Sequence, residues 1–306
     1  MTAFADLHCD TLYECFVRDI DLSDPSLHIH SAALNGFERF IQTFAHFIPE
    51  NTPEKWEYLK QFIQNSYSLL EKAEIDIFDT AADLIRTRLA VLSVEGGDLF
   101  ESVVQAEERI RWLRNKGICF FSMIYNHTNR LGCGARSSVD NGLTKLGSEV
   151  LQLLEQNGIV PDVSHASYQS TEDILNLACG PVCATHSNAF ALTAHPRNLS
   201  NEHLKRIALS GGLVGINFYP AFLSLQSAQV SDIIRHIKYL TDRCGEAHVA
   251  FGCDFDGVGR LPAGIQNVTS LEQLYFKMKQ SGFCASVLDK LFFDNINEFL
   301  NANFRR

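Results

Sequence analysis

Ala3-Phe4-Ala5-Asp6-Leu7-His8-Cys9-Asp10 is the stretch on which the fold turns. Ala3–Leu7 is a short β-rich run, and polar, chemically capable residues stand at its end. Side chains along a strand alternate in direction, so His8 and Asp10 point the same way. The same unit returns along the chain as a short apolar run, a polar turn and an amphipathic helical stretch. Comparable runs lie at Phe40–Phe47, Leu89–Val94, Cys119–Ile124, Ile159–Val163, Val182–Ala184, Leu213–Phe218 and Val249–Cys253. Apolar residues spaced by three and four predict helices at Trp56–Lys72, Val104–Arg114, Leu146–Gln156, Ser231–Thr241 and Ser286–Leu300. The spacing in Phe40–Phe47 would also suit a helix. Strands that alternate with helices form a parallel sheet, because parallel neighbours need crossover connections. Eight such runs predict an α/β fold, a closed (β/α)8 TIM barrel, with residues 1–306 as a single domain. No GxGxxG follows the first run, so a dinucleotide-binding sheet has no support.

Composition narrows the function. With 46% hydrophobic and 20% charged residues, the 306-residue chain has ordinary globular content and enough length to bury a core, which argues against disorder. Its net charge of −10 repels phosphate backbones and anionic lipid, so nucleic acid and membrane surfaces are poor partners. The 9 cysteines include no CxxC pair and read as reduced thiols. Cys179 and Cys183 are expected on a helix end and in the next strand. The start shows no basic, apolar leader, no stretch reaches membrane-span length, and Phe304-Arg305-Arg306 is no lipid-anchor signal. The expectation is a soluble, cytoplasmic protein.

A barrel demands that functional residues gather where strands end. After the first run come His8 and Asp10, an imidazole and a carboxylate two apart that can share a divalent ion. The third run ends in Ser93-Val94-Glu95-Gly96-Gly97. A carboxylate there is costly unless a cation meets it, and the glycines let the chain turn sharply. The fifth run leads to Asp162-Val163-Ser164-His165 and the sixth to Thr185-His186-Ser187. Each of these residues alone could be a cap or a satisfied core side chain. Together, HxD, Glu, His and His supply five ligands, which suits two metals bridged by Glu95 with water in the open positions. His127 ends the fourth run, Arg197 follows the sixth, and Asp254 and Asp256 end the eighth. Asp254 comes first off its strand and is the preferred functional acid, while Asp256 could order the loop. His28, His30, His46, His203, His236 and His248 are read as structural, with at most one near the site.

The set resembles the membrane (renal) dipeptidase family of zinc peptidases, M19, within the amidohydrolase-like barrels. The resemblance runs over nearly the whole chain. It rests on DxHxD at Asp6–Asp10, SxEGG at Ser93–Gly97, DxSH at Asp162–His165, HS at His186–Ser187, HPRN at His195–Asn198, NFY at Asn217–Tyr219 and GxDFDG at Gly252–Gly257. It implies that His8 and Asp10 bind one Zn2+, that His165 and His186 bind a second, and that Glu95 and a water or hydroxide bridge the two; Co2+ or Mn2+ could replace zinc. It also implies that His127 contacts the scissile carbonyl, that Arg197 holds the substrate's terminal carboxylate and that Asp254 stands near its amino group. Two departures stand out: Phe222 falls where some members offer a second tyrosine, and Asp294-Asn295 replaces an expected glycine and asparagine, read as a helix-start detail.

The expected reaction is hydrolysis of dipeptides, L-L and L-D, by metal-activated hydroxide, with pairing into a homodimer common among such barrels. The alternatives are another binuclear-metal amidohydrolase acting on a lactone or cyclic amide, and a barrel kept as a scaffold. Arg197 and the lack of a bridging lysine favour a substrate with a free carboxylate.

Overall fold

The computed structural model describes residues 3–305. Its strands are β1 (Ala3–Cys9), β2 (Arg39–Phe47), β3 (Asp76–Ile77), β4 (Arg88–Glu95), β5 (Ile118–Ser122), β6 (Val160–Pro161), β7 (Val214–Ile216) and β8 (Val249–Phe251). Every strand pair is parallel, in the order β6-β5-β4-β2-β1-β8-β7, with β3 set against β4. The sheet curls until its ends meet at residues 182–184. Asp162 bridges to Cys183 and Ala184 to Val214, carried by Val163 N–H to Cys183 O and Ala184 N–H to Leu213 O, both 2.9 Å. The expected sixth run is therefore in place, but as single bridges on either side rather than as a regular strand. The structure is the expected α/β barrel.

Phe40–Phe47 is a strand. Seven of the nine residues of β2 are buried, which is how a parallel strand covered on both faces reads. The short β3 was not expected. It pairs the first half of β4, at Leu89 and Ala90, before β5 takes over at Leu92.

Around the sheet the helices follow their apolar spacing. Lys55–Lys72 buries Leu59, Phe62, Ile63, Leu69 and Leu70 on one face. Four helices start on hydroxyl caps: Ser102, Thr144, Ser167 and Ser200 accept from the N–H groups of Gln105, Gly147, Ser170 and His203. Each such cap stabilises its helix by about 1 kcal/mol. Ser167 and Ser200 lie two and three residues beyond His165 and Arg197, so they also fix the ends of those two loops.

The C-terminal segment corrects one expectation. Asp294-Asn295 does not start a separate helix. Residues 285–303 run on through a wide π-helical turn at Lys290–Asp294, and Asn295 begins the α-helical part that follows. The Asn295 amide donates to the carbonyls of Glu246 (2.6 Å) and Val249 (2.7 Å), tying this helix to the start of β8. Ile296, Phe299, Leu300 and Phe304 then pack with Ala5, Leu7, Ile41, Leu89 and Val91 in one buried cluster.

All nine cysteines are free; seven are buried and Cys179 and Cys284 are exposed. Among the described residues, no helix is long and apolar enough to cross a membrane.

Candidate metal centre

The strand ends converge as the barrel requires. His8 lies near the end of β1 and Glu95 closes β4. Asp10, His165, His186 and Asp254 follow the first, fifth, sixth and eighth runs. Gly96 turns the chain after Glu95 with φ 94°, a conformation that suits glycine. Asp254 and Asp256 take φ values of 61° and 66°, which is uncommon for a residue with a Cβ and marks a locally strained loop. That loop is laced to β1: Asp254 N–H donates to His8 O and Asp10 N–H to Phe255 O. Asp256 accepts from Thr11 Oγ1 (2.5 Å), from His28 N–H (2.7 Å) and from Ile29 N–H (3.3 Å). It orders the loop, and His28 of the structural group supports it, its Nδ1 accepting from Asp256 N–H at 2.9 Å.

At the centre the two oxygens of Glu95 face different partners. Oε1 lies 2.6 Å from His165 Nε2 and 3.5 Å from His186 Nε2, while Oε2 lies 3.8 Å from His8 Nε2. His8 Nε2 is also 3.5 Å from Asp10 Oδ2 and 3.9 Å from Asp254 Oδ1. Two groups of ligand atoms each gather within 4.8 Å: His8, Glu95 and His186, and His8, Asp10 and Asp254.

Hydrogen bonds outside this centre decide which ring nitrogens carry protons. His165 Nδ1–H donates to Asn126 Oδ1 at 3.2 Å, and His186 Nδ1–H to Thr185 Oγ1 at 2.8 Å. Both Nε2 atoms then present lone pairs, 2.9 Å apart and facing the Glu95 carboxylate. Electron-pair donors that close require positive charge among them. Arg197 supplies part of it, with Nη2 2.8 Å from His165 Nε2. On the other side, buried His8 Nε2 and Asp10 Oδ1 have no hydrogen-bond partner. Orphaned polar atoms of this kind are rare in protein interiors. Two imidazoles with inward-facing lone pairs, set beside His8 and the carboxylates of Asp10, Glu95 and Asp254, make a donor set that fits divalent transition ions.

The electrostatics agree. Burial alone would lower the His8 imidazolium, but Glu95, Asp10 and Asp254 outweigh it and raise it to about 10. Burial lifts the Glu95 carboxyl well above its ordinary range, opposed by His8 and reinforced by Asp10 and Asp254. Asp254 is lifted to about 6, again chiefly by burial. Burial, together with Arg197 and His8, holds His165 and His186 far below ordinary histidine values. Acids resist losing protons and two histidines resist gaining them. A bound cation relieves the first constraint and uses the second.

The centre opens into a cleft of about 160 Å³, walled by Tyr13, Phe47 and Tyr125. Tyr125 stacks on His165 with ring centroids 4.3 Å apart. Arg197 is buried, its Cζ 5.3 Å from the Phe222 ring centroid. Among the described residues, no carboxylate oxygen lies within ion-pair distance of its guanidinium, and burial pulls it down to about 10. Asp254 Oδ2 accepts from Asn217 Nδ2 at 2.9 Å.

Seven of the eight candidate residues thus come together: His8, Asp10, Glu95, His165, His186, Arg197 and Asp254. His127 does not join them. Its ring is 59% exposed and lies 2.9 Å from both oxygens of Glu50, lining the adjacent cavity that shares Tyr125 with the cleft. The sequence reading passed over Tyr125, Asn126 and Thr185, although each is next to, or two before, a residue it named.

Three comparisons bear on this geometry. The family model described as membrane dipeptidase (peptidase family M19) matches residues 1–302. A Klebsiella pneumoniae protein encoded 5′ of pqqA is 36% identical over 254 residues, covering 78% of this chain and 90% of its own. Among solved structures, the metallopeptidase dipeptidase AC of family M19 superposes with a TM-score of 0.90 at 23% identity, over 100% of this chain and 99% of that one. A Rhodobacter sphaeroides metallopeptidase, liganded with a phosphinate mimic of the dipeptide L-Ala-D-Ala, gives 0.89 at 23% identity over 99% of both chains.

Proposed function

The chain belongs to the membrane dipeptidase family, peptidase family M19, and from that premise we propose that it hydrolyses dipeptides with two divalent metal ions, zinc by preference. The observation that carries this reading is Glu95, whose oxygens face His165 and His186 on one side and His8 on the other. In the proposal, His8 and Asp10 would hold the first ion and His165 and His186 the second, with Glu95 offering an oxygen to each side. Metal ions bound there would activate a water near neutral pH and polarise the scissile carbonyl.

The remaining steps fall to the chain's own groups. Arg197, buried and with no carboxylate among the described residues at ion-pair distance, would take the substrate's free carboxylate through charge-assisted hydrogen bonds. Asp254, held by Asn217 and raised to about 6, stands to bind the substrate ammonium as a carboxylate, or to take the proton that the attacking water gives up and pass it to the departing amine. Gripping both termini limits the substrate to about two residues; Asp254 lines the cleft of about 160 Å³, while Arg197 lines the neighbouring cavity of about 300 Å³ and reaches the centre through His165. His127 would reach the carbonyl only by leaving Glu50. The L-Ala-D-Ala mimic on the Rhodobacter sphaeroides protein supports including L-D dipeptides among the substrates.

The test is metal content by elemental analysis, paired with amino-acid release from L-Ala-L-Ala and L-Ala-D-Ala before and after chelation. Near two ions per chain with chelator-sensitive release is expected. Two ions with turnover of a lactone panel and none of dipeptides would move the chain to another hydrolase chemistry. No metal under saturating supply would overturn the reading.

A further inference from the structure

We propose that Asp162 and Thr185 are positioning residues that fix the tautomer of His186, so that its Nε2 is held as an electron-pair donor. The inference rests on the two-metal reading above and adds the source of one ligand's competence.

Proton direction can be followed bond by bond. Asp162 is buried, and its Oδ1 accepts from Ser164 N–H (3.0 Å), Ser164 Oγ (2.6 Å) and Thr185 N–H (2.9 Å). Its Oδ2 accepts from Ser122 Oγ (2.5 Å) and Thr185 Oγ1 (2.7 Å). An ionised carboxylate only accepts, so the single proton of Thr185 is committed to Asp162. Towards His186, Thr185 Oγ1 has only lone pairs left. The 2.8 Å contact to Nδ1 therefore needs the proton on Nδ1, and Nε2 is left bare. The same reasoning makes Ser164 Oγ an acceptor, and it takes the His186 backbone N–H at 3.1 Å. One carboxylate thus orients three hydroxyls contributed by the end of β5, the loop after β6 and the residue just after the run that closes the barrel.

This relay can be reversed with almost no change of shape. In Asp162→Asn the two backbone N–H groups at Oδ1 keep the amide oxygen on that side. The amide nitrogen then replaces Oδ2 and donates to Thr185 Oγ1, which frees the threonine proton to point at His186 Nδ1. That favours the Nε2–H form, which must lose its proton before it can bind a metal ion. Thr185→Val removes both donor and acceptor, while Thr185→Ser keeps them.

The experiment titrates metal-free wild type and the three variants with Zn2+ against a chromophoric chelator, and records histidine ¹⁵N shifts of the metal-free proteins. Circular dichroism checks the fold. We expect Nδ1–H at His186 in wild type, a shift towards Nε2–H in Asp162→Asn, and zinc affinity at one of two sites lowered roughly 10- to 100-fold in Asp162→Asn and Thr185→Val. Thr185→Ser should stay near wild type. Folded Asp162→Asn with unchanged His186 shifts and unchanged affinity at both sites would overturn the proposal while leaving the two-metal reading intact. If wild type itself binds no zinc, the two-metal reading fails and the nitrogen shifts still decide the relay. Should Asp162→Asn not fold, unchanged shifts and affinity in Thr185→Val overturn it instead.

Discussion

A guanidinium in the protein interior needs a counter-charge, because taking an unpaired ion out of water costs several kcal/mol. Arg197 is buried, rests against Phe222 and donates to His165, yet none of the described carboxylates pairs with it directly. A substrate carboxylate would complete it. Arg197→Ala should therefore raise KM for a dipeptide on the order of 100-fold, the equivalent of about 3 kcal/mol for a charge-assisted contact, and change it little for an uncharged amide analogue. Steady-state kinetics on the two substrates decide the matter, and equal effects on both would remove the carboxylate clamp. Arg197 could be named from the sequence because it follows a strand end and stands in the HPRN stretch that carries the family resemblance. Thr185 could not, because a threonine before a histidine is unremarkable until its bonds to Asp162 and His186 are known. His127 shows the opposite case. Its place at a strand end pointed inwards, but its ring pairs with Glu50, 77 residues away, and no local spacing signals that partner.

Among the elements, the legible ones were those with long apolar periodicity, such as Lys55–Lys72 and Arg88–Glu95. The least legible was β3 at Asp76–Ile77, two residues long and not expected, whereas the run at 182–184 was read and closes the barrel through single bridges. Gly212 presses on the run at Val182 O, and two further glycines press on Thr185 just after it. A Cβ on Gly215 would come within 1.9 Å of Thr185 O, and one on Gly252 within 1.7 Å. Gly215 in β7 and Gly252 just after β8 must be bare where the Thr185 carbonyl passes. Gly252→Ala should thus move Thr185, and with it His186, and lower stability by about 1–3 kcal/mol or more, as overpacking of a filled interior does. Gly259, where nothing lies within 4 Å of an added Cβ, is the control. Thermal unfolding with and without added zinc should show a lower Tm and a smaller zinc-induced rise for Gly252→Ala, and no change for Gly259→Ala. A Gly252→Ala protein as stable as wild type would mean that the crowding at Thr185 does not constrain the barrel.

Across the whole molecule, the barrel brings the acids at the ends of β1, β4 and β8 together in its interior, at some expense to its own stability. Asp10, Glu95 and Asp254 share one buried volume with His8, and burial with mutual repulsion raises Glu95 and Asp254. Each ion that binds the folded chain and not the unfolded one stabilises it by about 2.7 kcal/mol at a hundredfold excess over Kd. Chelation should therefore lower Tm by several degrees. The gap should also depend on pH, because protons compete for the same groups. Asp254 titrates at about 6 in the folded chain, against 3.8 ordinarily, so between those values the metal-free fold binds more protons than the unfolded chain. Its stability from this group is absent at pH 8 and grows as pH falls through 6, while the same protons weaken metal binding. The Tm difference between metal-loaded and chelated protein should then be widest near pH 8 and narrow towards pH 5. Calorimetry across that range measures it, and a gap that stays constant would mean that the buried acids are not what the metal neutralises.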